Sequence, residues 1–197
     1  MIVLPDANID LVVGSMVWGA FGNAGQVCAS VERAYVHERI YDEVVEKVVD
    51  KTSKLRVGNP LEDGTDMGPM TDPVQMQIVE RHVREAQEAG ARVLTGGKKI
   101  DGPGQFFEPT VMVDVNEEMS CLAEETFGPT LPILKVNSTD EAIRRANASN
   151  FGLDAYVFTS DQTEGRRVAE RLEAGTVMVN EVLVTHAHLD HTGALPL

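Results

Sequence analysis

The chain has 197 residues, 43% of them hydrophobic, with 17 lysines and arginines against 31 aspartates and glutamates, a net charge of -14. That is enough chain for one substantial domain with a real core, and too apolar for a disordered tail. The acidic balance argues against nucleic acid or an anionic membrane as partner, and two cysteines without C-x-x-C spacing point to a reducing cytoplasm rather than a disulfide framework.

Residues 1–6 lack a basic n-region and a cleavage motif, so no signal peptide is expected, and the apolar run 11–21 is too short to span a bilayer. Residues 9–21 read as an apolar helix opened by Asn8 or Asp10 and buried nearly all round. A glycine-rich turn carrying Cys28 follows, then a strand at 33–37. Ile40, Val44, Val45, Val48, Val49 and Leu55 fall on one helical face. Residues 58–71, rich in Gly, Pro and Asp, read as a long loop. Asp72-Pro73 opens a second amphipathic helix with Ile78, Val79, Val83 and Ala86 inward and Gly90 at its end.

Strands are expected at 91–95 and near 106–113, and the second half repeats the alternation. Residues 131–136 read as a strand, and Ser138-Thr139-Asp140-Glu141 as a capping box opening a helix to about Ala148. A strand at 155–158, a helix capped from Asp161 and closed by Gly175, and a strand at 176–180 complete the pattern. Strands alternating with helices mean an α/β layered fold with a mainly parallel sheet flanked by helices.

The chemistry concentrates at Phe21-Gly22-Asn23-Ala24-Gly25-Gln26-Val27-Cys28. A cysteine just after a Gly-x-x-Gly run sits where backbone can approach a bound substrate. A thiolate there can attack a carbonyl carbon while adjacent N–H groups hold the oxyanion. A lone cysteine is more often a small buried hydrophobe, and Cys121, which lacks such flanks, is read that way. Glu117 and Glu118 upstream of Cys121 would disfavour its thiolate. His37 and His82 read as structural, His82 having no acid–base partner near it in sequence.

From residue 2 to about residue 187 the order of motifs resembles the catalytic domain of the NAD(P)-dependent aldehyde dehydrogenases. The markers are Ile2-Val3-Leu4-Pro5-Asp6-Ala7, Gly25-Gln26-Val27-Cys28, Gly58-Asn59-Pro60, Met67-Gly68-Pro69, Phe107-Glu108-Pro109-Thr110, Glu124-Glu125-Thr126-Phe127-Gly128-Pro129 and Gly175-Thr176-Val177-Met178-Val179-Asn180. The resemblance implies oxidation of an aldehyde to a carboxylic acid through a thiohemiacetal and a thioester on Cys28, with NAD or NADP as hydride acceptor. It also implies that the Cys28 N–H serves the oxyanion, that Glu125 binds the nicotinamide ribose, and that Phe127 packs beside that end of the cofactor.

The same resemblance implies that a dinucleotide-binding half, a general-base glutamate and a second oxyanion donor would precede residue 1, and that a Pro-Trp-Gly-Gly segment and an oligomerising strand would follow residue 187. No G-x-G-x-x-G appears. The expectation is therefore a catalytic-domain segment at 1–187 cut at both ends, incompetent alone, with a disordered tail at 188–197. Its partners would be a small aldehyde and either a second copy of itself or a complementary half.

His186-x-His188-x-Asp190-His191 resembles the first metal-ligand motif of the metallo-β-lactamase fold, but four candidate ligands at a chain terminus would bind metal weakly, so no metal site is assigned. Two other functions stay open: a metal-dependent hydrolase fragment using that motif, and a non-catalytic remnant acting only by association. A junction of two unrelated coding segments near Val184 would explain both resemblances.

Overall fold

The structure, a computed structural model, describes residues 1–182. Seven strands form one sheet in the order β3-β4-β5-β2-β1-β6-β7. They are β1 (Ile2–Val3), β2 (Ala34–His37), β3 (Arg92–Thr95), β4 (Thr110–Val113), β5 (Thr130–Val136), β6 (Asp154–Phe158) and β7 (Thr176–Val179). Every pairing is parallel except β3 with β4. The expected α/β fold with a mainly parallel sheet is what is found.

Parallel strands covered on both faces read as continuous apolar runs rather than alternating ones. β2 and β4 are buried at every position, and β5 is buried at all but Lys135. Pro132 lies inside β5, where a missing N–H would normally break a ladder. The β2 pairing begins one residue later, at Ile133 opposite Ala34.

The helices are α1 (Ile9–Phe21), α2 (Glu38–Ser53), α3 (Pro73–Glu88), α4 (Ser120–Ala123), α5 (Thr139–Asn147) and α6 (Gln162–Ala169). Their starts follow the side-chain chemistry of the caps. The Asn8 side chain, not Asp10, caps α1 by accepting from Leu11 N–H. Asp72 caps α3 with Pro at the first turn, and Asp161 caps α6 by accepting from the Thr163 and Glu164 N–H groups. At α5 the Ser138 hydroxyl accepts from Glu141 N–H, while the Glu141 carboxylate reaches back to Asn137 N–H.

Several expectations need correction. β1 and α4 were not anticipated. The inner face of α3 is Met76, Val79, His82, Val83 and Ala86, with Ile78 only half-buried. α6 stops at Ala169 instead of running to Gly175, because the chain turns away through residues 170–175. No helix among the described residues is long and apolar enough to cross a membrane. The boundary placed at residue 187 and the tail at 188–197 lie outside the described residues.

Ile133 is fully buried in β5 between β4 and β2. Ile133→Ala should cost about 2–5 kcal/mol through lost burial and the cavity left behind, read as a fall in the urea midpoint at unchanged slope.

Candidate active site

The candidate site begins where α1 ends. Gly22–Gly25 forms one tight turn in which Asn23, Ala24 and Gly25 all have positive φ, at 51°, 55° and 71°. Asn and Gly tolerate that region, whereas Ala adopts it at a cost of about 1–2 kcal/mol. Hydrogen bonds hold it. Asn23 Nδ2 donates to the Gln26 carbonyl at 3.1 Å, and Gln26 Nε2 donates to the Asn23 carbonyl at 3.0 Å. Gln26 is buried, and its Oε1 accepts from Thr71 N–H at 2.8 Å, tying the turn to residues 67–71.

Beyond the turn, the Ala29 carbonyl accepts a 2.7 Å bond from the buried Tyr156 hydroxyl of β6. Ser30 Oγ donates to the Gly19 carbonyl at 3.1 Å. Cys28 sits exposed between the Gln26 and Ala29 anchors. Among the described residues its N–H has no backbone acceptor.

Cys28 and Glu125 line one cleft of about 470 Å³ at the starts of β2 and β6, together with Arg33, Ser149, Phe151 and Asp154. The structure thus brings together two of the three expected residues. Phe127 does not line the cleft. It is half-buried with φ 46°, a strained setting for a bulky side chain. Arg33 donates to Ser149 Oγ at 2.8 Å and lies 5.4 Å from the Phe151 ring centroid.

Residues 124–128 are held from three directions. The Glu32 carboxylate accepts from the Thr126 and Phe127 N–H groups at 3.2 and 2.9 Å. Gln75 Nε2 donates to the Thr126 carbonyl at 2.6 Å. His82, wholly buried, reaches Thr126 Oγ1 through Nδ1 at 3.0 Å and Glu124 through Nε2 at 3.2 Å. Burial pushes His82 below its ordinary value, and Arg81 adds to that. His82 is structural, as expected, but its acid partner comes from 42 residues away. His37 caps α2 by accepting from Arg39 N–H.

Sequence reasoning does not single out Glu32, Gln75 or Tyr156, and it reads His82 as structural without finding its partners. The partners of these four residues are 42 to 127 residues distant in sequence, beyond the reach of any local pattern.

The two cysteines differ sharply. Cys121 is buried, and desolvation pushes its thiol up to about 11. The expected cause, the acidic neighbours, is corrected: Glu117 is paired with Arg145. Among the described residues no group of three His, Cys, Asp or Glu side chains converges as a metal site. His186, His188, Asp190 and His191 lie outside the described residues.

Gly25 packs against Gly128, where a Cβ on Gly25 would overlap the Gly128 carbonyl. Gly25→Ala should therefore force the two loops apart and cost roughly 2–4 kcal/mol, from the positive φ and the clash together. A fall in melting temperature with altered alkylation kinetics at Cys28 is the expected result. An unchanged melting temperature would contradict this contact.

The comparisons agree with this architecture. The model of the aldehyde dehydrogenase family matches residues 1–194. Succinate-semialdehyde dehydrogenase [NADP(+)] 1 of Mycobacterium tuberculosis is 39% identical over 192 residues, covering 98% of this chain and 42% of that protein. The 3-sulfolactaldehyde dehydrogenase of Pseudomonas putida is 42% identical over 185 residues, covering 94% of this chain and 38% of that protein. An NAD+ complex of an aldehyde dehydrogenase from Bacillus cereus superposes with a TM-score of 0.91 at 35% identity, covering 94% of this chain and 38% of that one. The chain thus spans about two fifths of the length of these relatives. Fold, motif order and family match agree: the chain belongs to the aldehyde dehydrogenase family.

Proposed function

We propose that the chain supplies the nucleophile-bearing part of an NAD- or NADP-dependent aldehyde dehydrogenase, with Cys28 as nucleophile. The observation that carries this reading is the convergence of an exposed thiol, a free backbone donor and the Glu125 carboxylate on one cleft. Family membership and the names of the relatives support the reaction class and the cofactor.

In this reading the Cys28 thiolate adds to the aldehyde carbon. A C–S bond forms and the carbonyl electron pair moves to oxygen. The Cys28 N–H donates to that oxygen and stabilises the developing charge. A bound nicotinamide would supply the hydride acceptor; Cys28 would then hold the thioester until water cleaves it to the acid and the free thiol. Glu125 suits such a cofactor because an exposed carboxylate accepts from ribose hydroxyls. Phe127, which lies outside the cleft, gets no support from the geometry for its expected place beside the cofactor. Both cysteines are unpaired, which suits a reducing compartment such as the cytoplasm. The assignment of residues 1–187 to a single catalytic domain is part of the same proposal.

Acylation tests the nucleophile without needing hydride transfer. Brief treatment with p-nitrophenyl acetate followed by peptide mass spectrometry should place the acetyl group on Cys28, and Cys28→Ser should lose it. Iodoacetamide should label Cys28 at least about tenfold faster than Cys121, whose buried thiol carries almost no thiolate near neutral pH. Preferential modification of Cys121 in folded protein would overturn the assignment.

A further inference from the structure

We propose that Glu32 is a positioning residue whose carboxylate fixes the backbone on which Glu125 and Phe127 are mounted. The importance of this for the cofactor rests on the reading of those two residues given above. Glu32 lies four residues after Cys28 and next to Arg33, where an ordinary ion pair would be the first guess. Instead Arg33 turns to Ser149, and the two Glu32 oxygens each take a backbone N–H. One belongs to the peptide bond leaving Glu125, the other to the next peptide along.

Two neighbouring N–H groups aimed at one carboxylate define the path of the chain at that point. They are needed there because Phe127 has a φ of 46°, which an unrestrained bulky residue avoids. Glu32 comes from the segment joining Cys28 to β2, so the same short stretch carries the thiol and holds the backbone bearing Glu125, which lines the same cleft. Gln75 and His82 hold Thr126 from α3, but neither touches the two N–H groups that Glu32 binds.

The charged groups facing Glu32 are Arg33, which lowers its carboxyl, and Glu125, which raises it. Burial outweighs both and the two amides, and pushes the carboxyl above the ordinary carboxylate range.

Amide NMR of the full chain tests the assignment. In the wild type the Thr126 and Phe127 amide protons should titrate together, with a midpoint above the ordinary glutamate value of about 4.3. Glu32→Gln keeps one acceptor oxygen where two are needed. It should abolish that shared titration and speed exchange at both amides by about tenfold or more, as expected for losing a hydrogen bond to a charged group. Exchange at Val111 and Ile133 should not change.

Wild-type amides that do not titrate together, or exchange rates in the variant within about twofold of wild type, would overturn the proposal. The wild-type titration decides this even if the variant folds poorly. Acylation of Cys28 reads the proposed function separately. Its loss with the amide titration intact would count against that reading and leave the role of Glu32 standing, whereas intact acylation with amides that do not titrate together would overturn the role of Glu32 alone.

Discussion

Gly25 and Gly128 meet with no side chain between them, and the arrangement of the cleft depends on that contact. One glycine precedes Cys28 by three residues and the other follows Glu125 by three. Backbone packed on backbone sets the separation of the two loops without relying on a flexible side chain. Gly128 is pressed in turn against Val79 of α3, so the contact is backed by core. Its geometry is set by sterics, whereas the hydrogen bonds around it set direction.

That division of labour explains how strained backbone is tolerated here. Asn23, Ala24 and Phe127 all adopt positive φ, which Asn tolerates but which costs Ala24 and Phe127 more than local preference alone would sustain. Every one of these segments is caught between partners distant in sequence. Gln26 reaches residue 71, Tyr156 reaches residue 29, and Glu32 reaches residues 126 and 127. Such bonds are individually worth about 1 kcal/mol net. Several on one short loop are enough to offset a local conformational cost of that size.

The periodic parts of the fold were legible because their causes are local. Asn8, Asp72, Ser138 and Asp161 each cap the helix that a side-chain oxygen ahead of an apolar period implies. β1 was missed because two residues carry no period, and α4 because four residues barely make a turn. The end of α6 was misplaced because Gly175 serves the entry to β7 and not the helix. Motif order singles out Cys28 and Glu125 as candidates, and both line one cleft. Glu32, Gln75, His82 and Tyr156 were not legible as parts of the site. Each is an ordinary residue locally, and its importance comes only from what the fold lays against it.

The placement of the cleft bears on what it can hold. In open α/β sheets ligands commonly sit beyond the carboxyl ends of the strands, where helix N-termini supply donors for phosphate. This cleft opens instead at the starts of β2 and β6, and the helix end that reaches it is the C-terminal end of α5, at Ala146 and Asn147. A helix C-terminus carries partial negative charge. Asp154, Glu32 and Glu125 line the same space, with Arg33 the opposing charge. A polyanion gains little in such surroundings. Under the proposed function, a neutral aldehyde that becomes an alkoxide beside the Cys28 N–H would need only one well-placed donor at that atom, and uncharged ribose hydroxyls would find an acceptor in Glu125. On that reading the electrostatics of the cleft suit the reacting ends of substrate and cofactor, and the cofactor's phosphates would be bound by groups other than those lining it.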